Sequence, residues 1–299
     1  MTKTLIFLDA SALKNSGCCK LLHHTLISGY RSTLNSSDIE FGTAFHHYRK
    51  SVETSKIEDK TTRQCMALKE ALTYFSTAPM FVKHNKKFLD NSYLKNTCLG
   101  YDEHYANVGE EWEVARVENG EPLVECRVAY PYYVDESVEI LLCGTIDAIV
   151  KSKLSGMYAI KDYKTTSVWD RRKYFDGYRL SAQLKFYKLL LSLYAKLYPA
   201  SIISQAAKGG SFIDGIFLAS GKAAKYERSE VFFWSEKDIA EFQAGVDYTI
   251  REKILPYVSG QRKLWKEGVL TGACEKVYGA CAFADACCAI DEEGERATL

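Results

Sequence analysis

The fold is decided by two short segments, CGTIDAIV at residues 143–150 and AIKDYKTT at residues 159–166. Both are rich in β-branched residues, and a turn-like stretch of Lys, Ser and Gly joins them, so they predict an antiparallel hairpin. Because side chains alternate faces along a strand, Asp162 and Lys164 should point the same way, with Asp147 on the partner strand. Carboxylates beside an amine favour a site for Mg²⁺ or Mn²⁺ rather than zinc.

Asp162 and Lys164 form a D-x-K motif, which is a weak indication of a site by itself. Two further patterns, one before and one after this hairpin in the sequence, strengthen that indication. Upstream, Gly42 and His46 stand one helical turn apart, so the glycine leaves room beside the imidazole. Downstream, Gln183 and Tyr187 share one face of a predicted helix. Taken singly, each pair is more typical of ordinary packing than of a site.

In this order and spacing the segments resemble the RecB-like exonuclease branch of the PD-(D/E)xK nuclease superfamily. That branch includes nuclease domains of bacterial recombination helicase-nucleases, CRISPR-associated adaptation nucleases and many phage exonucleases. Together the matching motifs span about half of the chain. They are G-x-x-x-H at 42–46, G-T-I-D at 144–147, D-Y-K-T at 162–165 and Q-x-x-x-Y at 183–187.

The resemblance implies a metal site with a catalytic lysine beside it. Lys164 would orient or deprotonate the attacking water, or add positive charge at the transition state. Gln183 and Tyr187 would position the substrate or the lysine. Glu125, on the preceding predicted strand, is a lower-ranked acidic candidate. The implied metal ligands are His46, Asp147, Asp162 and the backbone carbonyl of Tyr163.

The hydrophobic pattern along the chain predicts an α+β fold, and the resemblance implies a mixed central sheet flanked by helices, as in restriction endonucleases. A single nuclease domain is expected over residues 1–299, with a helical part at 1–110, a catalytic core at 111–260 and a cysteine-rich segment at 261–299. The predicted helices span residues 11–30, 41–50, 61–75, 91–107, 178–197 and 235–258, and the predicted strands span residues 112–117, 123–133, 138–150, 157–163, 211–219 and 227–234.

The ten cysteines fall into three groups. Cys18 and Cys19 are adjacent near the start, and a second group lies in the last part of the chain, including Cys288. The remaining four stand singly among hydrophobic residues and are expected to be small buried side chains. Those four are Cys65, Cys98, Cys126 and Cys143.

The C-terminal spacing lacks the C-x-x-C pairs that zinc modules usually have. It is similar to that of an iron-sulfur subset of RecB-like nucleases, which has one cysteine before the G-x-x-x-H motif and three after the nuclease core. The resemblance therefore implies a 4Fe-4S cluster, with structural zinc or free thiols as alternatives. Its ligands would be Cys19, Cys274, Cys281 and Cys287, with Cys18 as the alternative first ligand.

The net charge of +1 gives no global sign of a polyanionic partner, but the charge is unevenly distributed. Residues 161–188 carry eight basic and three acidic side chains, and Trp169, Tyr174 and Phe175 interleave with the basic run. Cations for phosphates and aromatic rings for bases suit a single-strand channel, although a solvated loop beside core aromatics is the alternative. The predicted DNA contacts are Arg171, Arg172, Lys173 and Tyr178.

The function that follows is a metal-dependent DNA exonuclease for single-stranded or frayed ends, in DNA repair, recombination or phage DNA metabolism. The alternatives are a structure-selective endonuclease, such as a CRISPR adaptation factor that trims DNA ends, and a non-catalytic DNA-binding subunit. The sequence has no helicase P-loop, so unwinding would need a helicase or recombination partner, and a homo-oligomer stays open. No apolar run approaches the roughly 20 residues of a membrane span, so a cytoplasmic location in a bacterial or phage-infected cell is expected.

Overall fold

The computed structural model describes residues 3–14, 35–259, 275–276 and 279–280. The chain divides into two compact units, and every residue of the four motifs above belongs to the larger one. The single nuclease domain stays a prediction. The larger unit comprises Thr33–Val128 and Gly144–Ser235, and the smaller comprises Met1–Ser32, Ala129–Cys143 and Glu236–Leu299.

Helices and strands are numbered here in chain order over the described residues. The helices are α1 (Ala10–Lys14), α2 (Ser37–Thr54), α3 (Lys60–Thr77), α4 (Asn91–Val108), α5 (Arg171–Arg179), α6 (Ala182–Leu197), α7 (Ile202–Ala206), α8 (Glu236–Thr249) and α9 (Leu255–Val258), with a 3-10 turn at His84–Lys86 and a π-helical turn at Ile250–Ile254. The strands are β1 (Thr4–Leu8), β2 (Asn35–Ser36), β3 (Met80–Phe81), β4 (Trp112–Val114), β5 (Val124–Val134), β6 (Val138–Ser152), β7 (Tyr158–Thr166), β8 (Ser211–Phe217), β9 (Lys225–Arg228), β10 (Glu275–Lys276) and β11 (Gly279–Ala280).

The larger unit is built on a mixed sheet in which β6, β7, β8 and β9 follow one another. Strands β6 and β7 are antiparallel, with Ala148 opposite Lys161, so the predicted hairpin is confirmed. Strand β8 runs parallel to β7, and β9 returns antiparallel to β8. Strands β4 and β5 also pair with β6. The predicted mixed central sheet flanked by helices is therefore confirmed.

In the smaller unit, β1 runs parallel to the first part of β6, with Thr4 opposite Val138 and Leu8 opposite Leu142. This strand was not predicted from the sequence. Its inward residues Ile6 and Leu8 are buried, but its outward residues are apolar as well, so the alternation that marks a half-buried strand is missing.

The helices of the larger unit begin where side chains cap them. Asp59 accepts the Thr62 backbone N–H at the start of α3, and Asp90 accepts the Tyr93 N–H at the start of α4. The predicted helix at 178–197 is wrong at its start, because a separate helix, α5, begins after Asp170 and ends at Arg179.

Strand β9 also differs from its prediction at 227–234. It begins at Lys225 and ends at Arg228, and beyond it Phe232 makes only an isolated bridge to Ser211. The predicted last helix is present, but α8 passes through the π-helical turn before α9.

Helices α2, α3 and α4 bury an aromatic cluster together with residues of β7 and β8. Phe45 and Tyr101 each pack edge-on against the ring of Tyr163 on β7, with ring centroids 5.9 Å apart. Burial of each such side chain contributes about 1.5–3 kcal/mol, so this cluster fixes α2 against the sheet.

The cysteine predictions have mixed outcomes. Cys98 and Cys126 are buried as expected, whereas Cys143 is partly exposed. The prediction is wrong for Cys65, because that side chain points outward from α3. Six cysteines lie outside the described residues, as does most of the predicted helix at 11–30. They are Cys18, Cys19, Cys274, Cys281, Cys287 and Cys288.

Over the part of the chain that the structure describes, no helix has both the length and the apolar character needed to cross a membrane.

Candidate functional site

His46 reaches the sheet because α2 can approach β7 closely. One turn before it on α2, Gly42 faces Thr165, and a Cβ atom at Gly42 would lie 2.9 Å from the Thr165 Oγ1 atom. The absence of a side chain at Gly42 therefore brings the imidazole over the end of β7. There the His46 Nε2 atom lies 3.3 Å from the carbonyl oxygen of Tyr163.

The other ring nitrogen of His46 faces two carboxylates. Its Nδ1 atom lies 3.4 Å from an Asp147 oxygen on β6 and 3.5 Å from a Glu125 oxygen on β5. The ligand atoms of these three residues lie within 4.8 Å of one another. The second oxygen of Asp147 accepts the backbone N–H of Tyr163 at 2.8 Å, which fixes its orientation. His46, Glu125 and Asp147 are called the His46 cluster below.

Glu125 occupies an unusual backbone conformation. Among the described residues it is the only non-glycine residue with a positive φ, at 50°. An L-residue in the left-handed region costs about 1–2 kcal/mol, and such strain is concentrated at functional sites. Glu125 ranks below the other acids on sequence grounds, and it lies in the His46 cluster.

Asp162 and Lys164 point the same way from β7, as the alternation of strand side chains predicts. The Lys164 Nζ atom lies 2.5 Å from an Asp162 oxygen, and the Gln183 amide donates to the other oxygen at 3.3 Å. The same amide lies 2.9 Å from the Tyr187 hydroxyl, which donates to the Thr145 carbonyl oxygen at 2.8 Å. Gln183 and Tyr187 thus connect α6 to both strands of the hairpin.

The charges of the His46 cluster keep the imidazole protonated and Asp147 ionised. Burial alone would lower the pKa of His46, but the charge of Asp147 and hydrogen bonds to Asp147 and Glu125 raise it to about 10. For Asp147, burial would raise the pKa, but protonated His46 and the nearby Lys164 lower it. The imidazolium therefore supplies positive charge to these carboxylates at neutral pH.

The neighbouring ion pair behaves differently. Burial raises the pKa of Asp162 to about 6, although the charge of Lys164 opposes this shift. Burial would lower the pKa of Lys164, but the charges of Asp162 and Asp147 raise it above its ordinary value. Lys164 is consequently a cation at neutral pH and not a ready proton acceptor.

The donor set of the His46 cluster fits a divalent cation. Two carboxylates and one imidazole nitrogen match the oxygen-rich sites of Mg²⁺ and Mn²⁺. A metal-binding histidine usually donates its other N–H to a carbonyl or carboxylate, and His46 Nε2 is placed to donate to Tyr163 in this way. His46, Glu125 and Lys164 all line an open cleft of about 590 Å³.

The structure groups the residues differently from the ligand set that the resemblance implies. His46 and Asp147 lie together, and Glu125 joins them. Asp162 pairs with Lys164 instead. The Tyr163 carbonyl lies at the ring nitrogen that faces away from the carboxylates, where it orients His46.

The predicted DNA contacts lie on α5, just beyond the end of β7, and not within the His46 cluster. Arg171 is paired with Glu227 at 2.8 Å, whereas Arg172 and Lys173 are exposed. The Tyr178 hydroxyl lies 3.1 Å from that of Tyr174. Helix α5 therefore presents Arg172 and Lys173 to solvent.

A scan against models of known protein families and a search of curated proteins each find no match. Among solved structures, the chain is similar to a crystal structure of the "Putative exonuclease" from Eubacterium rectale, with a TM-score of 0.47 and 13% sequence identity. The alignment covers 93% of this chain and 92% of that chain. At this level of similarity, the likeness assigns no residue roles.

Proposed function

We propose that this protein is a metal-dependent deoxyribonuclease of the RecB-like PD-(D/E)xK type, acting as an exonuclease on single-stranded or frayed DNA ends. One observation carries the proposal: the His46 cluster lies beside the ion pair of buried Asp162 and partly buried Lys164, and His46, Glu125 and Lys164 line one cleft of the larger unit. Carboxylates, an imidazole and a lysine in one cleft are the groups that metal-assisted phosphodiester hydrolysis needs.

The His46 cluster would hold Mg²⁺ or Mn²⁺, with Asp162 as a further candidate ligand from β7. When bound, the ion supplies positive charge to the phosphoryl oxygens and lowers the pKa of water. The cluster residues hold their orientations through contacts already present. Asp147 is held by the Tyr163 N–H, and His46 by the Tyr163 carbonyl.

Lys164 would act as a cation toward the phosphate. Its raised pKa argues for a donor of hydrogen bonds and positive charge rather than for a general base. Gln183 would keep Asp162 in place, because its amide donates to both Asp162 and the Tyr187 hydroxyl. These residues would thereby position the lysine next to the reacting phosphate.

The proposal includes a 4Fe-4S cluster, which is supported only by the resemblance of the cysteine spacing to the iron-sulfur subset of RecB-like nucleases. Its ligands would be cysteines that lie outside the described residues, with Cys19 or Cys18 as the first. Iron and acid-labile sulfide should both be present in protein purified without oxygen. A colourless preparation without iron would contradict the cluster, and stoichiometric zinc would favour the structural-zinc alternative.

The direct test is digestion of end-labelled single-stranded and double-stranded DNA with Mg²⁺ or Mn²⁺. Wild-type protein should release short products only with metal, and Asp162→Ala and Lys164→Ala should not. Lys237→Ala, at an exposed lysine of α8, is the control and should keep full activity. The proposal fails if wild-type protein shows no metal-dependent cleavage, or if Lys164→Ala cleaves as well as wild type.

A single-stranded circle separates the two enzymatic alternatives. An exonuclease needs an end and should leave the circle intact while it digests the linear strand of the same sequence. Cleavage of the circle at a comparable rate would favour the endonuclease.

A further inference from the structure

Trp169 differs from the other aromatic residues near α5. Phe175 is buried, and Tyr174 and Tyr178 are partly buried and share a hydrogen bond between their hydroxyls. Trp169 is 83% exposed. A large aromatic ring that is exposed to water lacks the stabilisation that burial in a core would give it. Aromatic residues are enriched at the interfaces between proteins and their partners. Trp169 is therefore a candidate binding residue.

The surroundings of Trp169 are cationic. The Lys222 ammonium group lies 5.5 Å from the centre of the indole ring, within the range of a cation–π contact. The Lys86 ammonium group donates to the Ser167 hydroxyl at 2.5 Å, two residues before Trp169. The adjacent acid, Asp170, is engaged as the cap of α5. An exposed ring with one ammonium group over it and a second at Ser167 complements a ligand with flat bases and negative phosphates.

Only a short stretch of chain separates Trp169 from Lys164 of the proposed active site. Trp169 follows Lys164 by five residues, and β7 ends between them at Thr166. Five residues span at most about 18 Å when fully extended. That length corresponds to about five nucleotides at the roughly 3.4 Å spacing of stacked bases. A strand with its scissile phosphate at Lys164 could therefore place a nearby base on Trp169.

We propose that Trp169 is a stacking platform for an unpaired base of single-stranded DNA, with Lys222 and Lys86 contacting the flanking phosphates. This inference rests on the proposed nuclease function and names its substrate as an unpaired strand. A base within a duplex is already stacked on its neighbours and does not expose a face to an indole ring.

Kinetics with two substrates test the platform. The first substrate is oligo(dT) of about twenty nucleotides, which is long enough to reach Trp169. The second is thymidine 5′-(p-nitrophenyl phosphate), which has a single nucleotide and no flanking strand to extend from Lys164 to Trp169. Trp169→Ala should raise KM for the oligonucleotide about tenfold, as expected for loss of one base–aromatic stack, and leave kcat unchanged. Both constants should stay unchanged for the short substrate.

Phe233→Ala is the matched control. Phe233 is also a highly exposed aromatic residue, and its neighbour Phe232 bridges Ser211 at the first residue of β8. Because β8 runs parallel to β7, this is the opposite end of the sheet from Thr166. Phe233→Ala should leave both substrates unaffected. An equal KM for Trp169→Ala and wild type on oligo(dT), or the same rise with Phe233→Ala, would overturn the inference.

A binding titration gives a result that does not depend on turnover. Fluorescein-labelled oligo(dT) is titrated with protein in EDTA, and its anisotropy is recorded. Trp169→Ala should weaken binding about tenfold, whereas Trp169→Phe, which keeps an aromatic face, should lose much less. If wild type binds but does not cleave, and Trp169→Ala loses binding, the nuclease proposal fails and the platform stands. If wild type cleaves and Trp169→Ala binds normally, only the platform fails.

Discussion

Two carboxylates on neighbouring strands, Asp162 on β7 and Asp214 on β8, are equally buried but have very different partners. Asp214 accepts from the Tyr101 hydroxyl at 2.5 Å, pairs with Lys161 at 2.9 Å, and receives two N–H groups of Arg228 at 2.6 and 2.9 Å. Asp162 has Lys164 at 2.5 Å and a longer contact from Gln183 at 3.3 Å. One carboxylate is saturated with donors and the other is not.

The difference is visible in the pKa of each group. Burial would raise both pKa values, but Lys161 and Arg228 lower that of Asp214. For Asp162 the effect of burial prevails and the pKa rises to about 6. A saturated buried carboxylate serves the fold, because it has no lone pair to give up. An undersaturated one beside the His46 cluster can accept a further cation, which is what a catalytic role requires.

The largest effect should come from Asp162→Asn. The amide keeps the size of the side chain but removes its charge, so kcat/KM on a linear single strand should fall about 10³-fold, equivalent to roughly 4 kcal/mol. Asp176→Asn, at an exposed position on α5, is the control and should leave kcat/KM unchanged. If kcat/KM of the Asp162→Asn enzyme is within tenfold of the wild-type value, Asp162 has a structural role like that of Asp214.

Asp214→Asn should act on the fold instead. The change leaves the buried Lys161 and the partly buried Arg228 with less compensating charge, and breaking a buried ion pair costs about 3–5 kcal/mol. Urea denaturation should show a loss of that size, larger than the loss in Asp162→Asn. If Asp214→Asn is as stable as wild type, Asp214 does not stabilise the fold through its ion pairs.

Metal affinity should depend on pH through His46. Its raised pKa, about 10, means that it carries a proton at neutral pH, whereas a ligand imidazole must be neutral. Binding should therefore release one proton, and Mn²⁺ affinity should rise about tenfold, or about 1.4 kcal/mol, per pH unit below pH 10. Calorimetry in two buffers with different ionisation enthalpies measures the proton count.

In the metal-free protein, the raised pKa of His46 makes the free energy of unfolding decrease as the pH rises. Because the folded pKa of His46 lies above its ordinary value of 6.5, the stabilisation is full below about pH 6.5 and is lost as the pH rises through 10. A Mn²⁺ affinity that does not change between pH 7 and 8 would exclude His46 as a ligand.

The smallest effect should come from Tyr101→Phe, which removes one donor from Asp214. The loss should be about 1 kcal/mol of unfolding free energy with unchanged kcat, because the remaining donors still hold the carboxylate. Gln183→Leu removes the corresponding donor from Asp162. It should lower kcat, and its effect on the free energy of unfolding should be the smaller of the two when both are expressed as free energies. Equal effects of both changes on kcat would show that the two carboxylates do not differ in role.

The sequence predicted those parts of the site that depend on regular spacing. Asp162 and Lys164 share a face because strand side chains alternate, and Gly42 precedes His46 by one helical turn. The place of Glu125 in the His46 cluster could not be predicted, because it depends on a left-handed backbone that no pattern of residue types around it indicates. Tyr178 was assigned to α6 because the break before that helix consists of only two residues, without glycine or proline.

The backbone of Tyr163 has a consequence for how this protein tolerates mutation. Its N–H holds Asp147 and its carbonyl holds His46, so two of the three residues of the His46 cluster are oriented by backbone atoms that every amino acid except proline carries. A side-chain scan at position 163 would report on the aromatic core and miss this support. Replacement of the peptide bond between Asp162 and Tyr163 by an ester would remove this N–H alone and so test its support of Asp147 without changing the aromatic core.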